Sequence, residues 1–140
     1  MKKSLALFIT LIMLILPLTL CFTSCESEDT NKAKEYIISF LTEVREGDFD
    51  SAKEHLHPSF DDDIEVFFNE VEDVFGVDFQ EGITILRYTN TYTSLYNSEY
   101  DGFGYELTME IEVSGYTLQI TVLVVENDIG YGIYYIEIDD

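Results

Sequence analysis

The chain has 140 residues, 28 of them acidic and 7 basic, and a formal net charge of −21. That length holds about one domain, and that charge excludes nucleic acid as a partner and is repelled by an anionic membrane surface. Acidity of this degree also serves simply to keep an exported domain soluble.

The chain begins with Lys2 and Lys3 and continues in a long apolar stretch from Leu5 to Leu20, the charged and hydrophobic regions of a secretory signal. Phe22-Thr23-Ser24-Cys25 follows. Two small hydroxyl residues before a cysteine resemble the lipobox of bacterial lipoproteins, with Phe22 where leucine is usual. The resemblance implies that Cys25 is lipidated and becomes the mature N-terminus. Cys21 is the wrong candidate, because the bulky Leu20 precedes it. Residues 1–24 are therefore expected to be a signal peptide, residues 25–29 the lipidated cysteine with a short acidic tether, and residues 30–140 the domain. A retained transmembrane helix is the other reading, since Leu5 to Phe22 at ~1.5 Å per residue reaches about 27 Å. Either way Lys2 and Lys3 hold the N-terminus in the cytoplasm, so the domain is membrane-attached and faces outward. Loss of the leader leaves Cys25 as the one cysteine, so no internal disulfide is expected and the domain stands on packing alone. Glu26 to Asn31, fully extended, reaches at most about 20 Å, which keeps the domain close to the bilayer.

Thr30 or Asn31 is positioned to cap a helix in which Ala33, Tyr36, Ile37, Phe40, Leu41 and Val44 recur at steps of three and four. Gly47 ends it. Asp48 to Leu56 reads as a second short helix, with Asp48 or Asp50 as N-cap and Phe49, Ala52 and Leu56 as its buried positions. His57-Pro58-Ser59 breaks that helix. Ser59 or Asp61 starts a third, with Ile64, Phe67, Phe68, Val71, Val74 and Phe75 on its apolar face and Gly76 at its end. Asp61, Asp62, Asp63 and Glu65 lack the glycine and terminal glutamate of a calcium loop and read as acids complementing a helix dipole.

From Ile83 the period changes to two. Ile83 to Tyr96 is a long strand with Tyr88, Tyr92 and Tyr96 on one face, and Asn97 to Gly104 turns the chain. In the next strand Tyr105, Leu107, Met109, Ile111 and Val113 alternate with Glu106, Thr108, Glu110 and Glu112, one buried face and one wet. Ser114-Gly115 makes a tight hairpin. The third strand, Tyr116 to Glu126, carries Leu118, Ile120, Val122 and Val124 on one face, with Leu123 and Val125 on the other. After Asn127-Asp128, strict alternation puts Tyr131, Ile133 and Tyr135 on one face of the last strand and Tyr134, Ile136 and Ile138 on the other. The fold class is therefore α+β, three N-terminal helices packed on one face of a curved four-stranded antiparallel sheet.

This order of elements, with Gly47-Asp48-Phe49-Asp50 after the first helix and His57-Pro58-Ser59-Phe60 after the second, resembles the nuclear transport factor 2-like (cystatin-like cone) superfamily, in the form of a small bacterial lipoprotein. The resemblance spans Thr30 to Asp140. It implies a cone that serves enzymes, carriers and binding domains alike, with dimers formed through the sheet, so fold does not settle function. Isomerases of that superfamily carry a pocket tyrosine seven residues before the Gly-Asp pair; here that position is Phe40, which has no hydroxyl.

For catalysis, Glu137 beside Tyr135 is the one carboxylate on an apolar strand face, and His55 and His57 without a third ligand read as surface residues. No metal or cofactor is implied. For binding, nine of ten tyrosines lie between Tyr88 and Tyr135, and tyrosine offers rigid apolar area with a polar tip. The expected ligand residues are Tyr88, Tyr92, Tyr96, Tyr135 and Glu137. Leu123, Val125, Tyr134 and Ile136 form a second apolar face expected to meet a second copy, another protein or the domain's own packing. The chain reads as a membrane-anchored, non-enzymatic binding lipoprotein, and a cone-pocket isomerase or hydrolase is the alternative.

Overall fold

The computed structural model describes residues 27–140; the expected signal peptide and Cys25 lie outside them. The described residues form helices α1 (Glu28–Glu46), α2 (Phe49–Lys53) and α3 (Ile64–Phe75), a 3-10 turn (Phe79–Glu81), and strands β1 (Ile83–Asn97), β2 (Gly102–Val113), β3 (Tyr116–Asn127) and β4 (Tyr131–Asp139). The strands make one antiparallel sheet in the order β1-β2-β3-β4. The fold class is thus α+β, three helices with a curved, open four-stranded sheet.

Helix α1 begins earlier than a cap at Thr30 or Asn31 would allow. Ser27 is its N-cap and accepts from the Thr30 N–H at 3.2 Å, and Glu28 and Asp29 occupy the first turn, where acids suit the dipole. Gly47 ends it in the left-handed region at φ 71°, with the Asp48 N–H donating back to the Glu43 carbonyl. Helix α2 is shorter than expected, and Leu56 leaves it to bridge β4. Helix α3 starts at Ile64 rather than behind Ser59 or Asp61, capped by Asp63, whose Oδ1 accepts from the Glu65 and Val66 N–H groups. Its buried face is Ile64, Phe68 and Val71, with Phe67 and Phe75 half-buried; Val74 faces solvent.

Two strands depart from strict alternation, β1 at three register shifts, the last between Ser94 and Asn97, and β4 at one. In β1, Ile85 pairs with Ile111 but Arg87 with Glu110, and Tyr88 pairs with Met109 but Asn90 with Thr108, so Leu86 and Thr89 are extra residues. Tyr88 therefore faces the helices while Tyr92 faces outward, and the two do not share a face. In β4, Val124 pairs with Ile133 and Leu123 with Tyr135, which makes Tyr134 the extra residue. That one insertion turns Ile133, Ile136 and Ile138 all inward, where each is buried. Ile136 is consequently a core residue and does not belong to an outer apolar face.

The core lies between the helices and the inner sheet face: Ile37, Phe40, Leu41 and Val44 of α1 and Phe68 of α3 meet Leu107, Met109, Ile111, Ile120 and Val122. Phe68 sits at its centre, with ring centroids 4.9 Å from Phe79 and 6.0 Å from Phe40. Helix α1 runs antiparallel to β1, from Thr30, whose hydroxyl is 3.4 Å from that of Thr93, toward Leu41, which shares a small groove with Ile83 and Ile85. Its N-terminus therefore stands at the end of the sheet that carries the β1–β2 loop and the β3–β4 turn.

Candidate ligand-binding end of the sheet

At the far end β2 and β3 are joined by Ser114 and Gly115 alone, both at positive φ (49° and 79°) as a tight hairpin of this hand requires. The near end is built differently. The segment 98–101 folds back over the outer face, and Tyr100, buried to 8% exposure, lies across Gly104. A Cβ on Gly104 would collide with Tyr100 Oη, so glycine is what admits the ring. The Tyr100 hydroxyl meets Ser94 Oγ at 2.7 Å, and that same oxygen accepts from the Gly104 N–H at 2.9 Å.

Asn127 ties this loop to its neighbours. Its Nδ2 donates to the Tyr100 carbonyl at 2.7 Å, and its Oδ1 accepts from the Ile129 and Gly130 N–H groups of the β3–β4 turn. Its Oδ1 also lies 3.0 Å from His57 Nε2. His57 Nδ1 accepts from the Ser59 N–H at 3.1 Å, so Nε2 carries the proton and donates to Asn127. Far from being a surface residue, His57 is buried and bonded at both ring nitrogens. His55 is separate, half-buried with Nε2 3.0 Å from Glu43 Oε2 and its ring on edge against Tyr36.

Three clefts open around these loops. One of about 380 Å³ is lined by Tyr96, Asp101, Phe103, Glu126, Asn127 and Asp128. A second, of about 220 Å³, shares Asp101, Asn127 and Asp128 with it and adds Ser59, Glu99, Tyr100, Ile129 and Tyr134. A third, of about 270 Å³, lies over the outer face between Tyr92, Tyr96, Glu99, Tyr100, Glu106 and Leu123. None of the residues lining them is basic. In the largest, Tyr96 and Phe103 meet at 82° with centroids 6.5 Å apart, an aromatic corner beside three carboxylates. The Tyr96 hydroxyl donates to Asp101; that bond, followed by the Asp101 charge, pushes the phenol up from its ordinary value and keeps it protonated.

The five expected ligand residues divide. Tyr92 and Tyr96 line clefts. Tyr88 is on the helix side with the Lys34 ammonium 4.3 Å from its ring centre. Tyr135 and Glu137 lie on the outer face of β4, and Tyr135 stands at the opposite end of a register row Tyr92–Glu106–Leu123–Tyr135. Three strand spacings put Tyr135 about 14 Å from Tyr92, so these groups do not converge. Burial, then a hydrogen bond to Glu137, raises the Tyr135 hydroxyl.

The expected apolar outer face also breaks up. Ile136 is in the core, Val125 is completely buried, and Tyr134 lies against Tyr100 with ring centroids 5.8 Å apart. Val125 pairs with Gly104, the residue under Tyr100, so the domain's own loop covers this patch. Leu123 remains half-buried. The residues the pattern did not single out are Tyr100, Asp101, Phe103, Asn127 and Asp128. Their signal was two aromatics inside an otherwise polar turn, which only a packed loop explains.

Among the described residues no three His, Cys, Asp or Glu side chains are grouped to hold a metal ion. Compared with known proteins, the chain matches no family model, no curated protein and no solved structure.

Proposed function

We propose that the chain is a membrane-anchored, extracytoplasmic binding protein without catalytic activity, lipidated at Cys25, whose cone-like domain takes a cationic ligand at the loop end of its sheet. The observation that carries this reading is the corner of Tyr96 and Phe103 set beside Asp101, Glu126 and Asp128. Aromatic faces and carboxylates together favour an ammonium or guanidinium group, by roughly 0.5–2 kcal/mol for each well-placed ring. The space under α1, where a cone-pocket enzyme would hold its substrate, is occupied by Phe40, Phe68 and Phe79, all buried. The anchor is supported by Lys2, Lys3, the apolar stretch and Phe22-Thr23-Ser24-Cys25.

The test is a titration of the full chain in detergent with tetramethylammonium chloride, followed through the ring resonances of Tyr96 and Phe103. Those resonances should move with tetramethylammonium and not with equal sodium chloride. Asp101→Asn should weaken the response by about 0.2–1 kcal/mol. Asparagine tolerates the positive φ of 51° at this position, so the change removes charge and leaves the turn. Equal shifts with both salts would refute the cationic ligand.

A further inference from the structure

Where α1 starts decides which way the domain points. Ser27 caps the helix, and a single residue, Glu26, separates it from Cys25. Two peptide steps reach at most about 7 Å, so the helix start is held at the anchor. The helix is itself fixed at that end of the sheet, through Thr30 to Thr93 and through the Lys32 ammonium 4.0 Å above the Tyr131 ring. Its 19 residues then carry the chain about 28 Å away, toward the Ser114-Gly115 hairpin.

We infer that the end of the sheet bearing the β1–β2 loop and the β3–β4 turn docks on the headgroup layer of a zwitterionic bilayer, with Tyr96, Phe103 and Ile129 as its contacts. This rests on the reading of the N-terminal stretch as an anchor. Three observations carry it. The anchor point is at this end. Tyr96, Phe103 and Ile129 are 59%, 48% and 66% exposed there, aromatic and aliphatic surface of the kind that settles at a membrane interface. The carboxylates between them, Asp101, Glu126 and Asp128, repel anionic lipids and match the ammonium groups of phosphatidylcholine and phosphatidylethanolamine. The aromatic corner thus opens toward the layer where those ammonium groups lie.

The chain contains no tryptophan, so single substitutions report without background. Full-length Phe103→Trp, Ile129→Trp and Tyr116→Trp, made in a bacterial host that processes lipoproteins, are reconstituted into phosphatidylcholine vesicles brominated near the headgroup. Phe103→Trp, at the start of β2, and Ile129→Trp, in the β3–β4 turn, are two independent reporters; Tyr116→Trp marks the far end, where the native side chain is 58% exposed. Quenching several-fold stronger at both near-end positions than at Tyr116→Trp is the expected result. Equal quenching at the two ends, stronger quenching at Tyr116→Trp, or none at all overturns the orientation. The mass of the mature protein tests the anchor separately. An unprocessed, lipid-free chain refutes lipidation of Cys25, yet the retained apolar stretch joins the domain at the same Ser27, and the quenching contrast still decides the orientation.

Discussion

The two ends of the sheet solve the same problem, joining antiparallel strands, in opposite ways. At the far end two residues suffice, and Ser114 is locked in place: its Oγ accepts from the Asp78 N–H at 3.0 Å and lies 2.8 Å from Glu81 Oε2. At the near end longer connections fold back on the outer face, are held by Asn127 and Tyr100, and leave clefts between them. The rigid scaffold is common to both, and the difference lies wholly in the connections, which is where binding surfaces are usually built.

The largest effect should come from the part both ends share. Phe68→Ala empties the centre of the core and should cost about 3–5 kcal/mol. Urea unfolding followed by probes at each end should give coincident transitions shifted together; separate transitions would show that the ends are independent units. Asn127→Ala should be smaller and confined to the near end. It strands the buried His57 N–H and the Tyr100 carbonyl, a loss of about 1–3 kcal/mol. Amide exchange should accelerate in 98–101 and 128–130 while the Ser114 hairpin keeps its protection, and equal acceleration at both ends would contradict the division drawn here.

The smallest effect belongs to the middle of the outer face, where Arg87 donates to Glu110 through Nε at 2.8 Å and through a second nitrogen. The hydrogen bond from Arg87 holds the Glu110 carboxyl below its ordinary value of 4.5. A lowered folded value means the contribution is present above the unfolded value and disappears as pH falls through the folded one. Glu110→Gln should therefore lower the melting temperature slightly at neutral pH and leave it unchanged in strong acid. A difference that persists in acid would assign the effect to packing instead of charge.

Much of this architecture was legible in the residues. The 3.6-residue spacing of Ile37, Phe40, Leu41 and Val44, the glycines at 47 and 76, and the Ser114-Gly115 pair are local signals, and local chemistry decides them. The misses have two physical sources. A bulge inserts one residue and reverses every face beyond it, so alternation through Tyr134 put Ile136 on the wrong side and alternation through Thr89 joined Tyr88 to Tyr92. Contacts distant in sequence are invisible to periodicity, which is why His57 looked like surface and Val125 looked uncovered. The early start of α1 did have a local signal, Ser27 followed by two acids, but the same residues also suit a solvated tether.

The β1 bulges and the short parallel bridge between Leu56 and Ile133 bear on how the protein behaves in company. The bridge, through the His57 N–H to the Ile133 carbonyl and the Ile133 N–H to the His55 carbonyl, caps part of the margin of β4. Leu86 and Thr89 interrupt the margin of β1 with extra residues that a straight incoming strand cannot match. Blunted at both margins, this sheet resists edge-to-edge pairing with a second copy even at high local concentration.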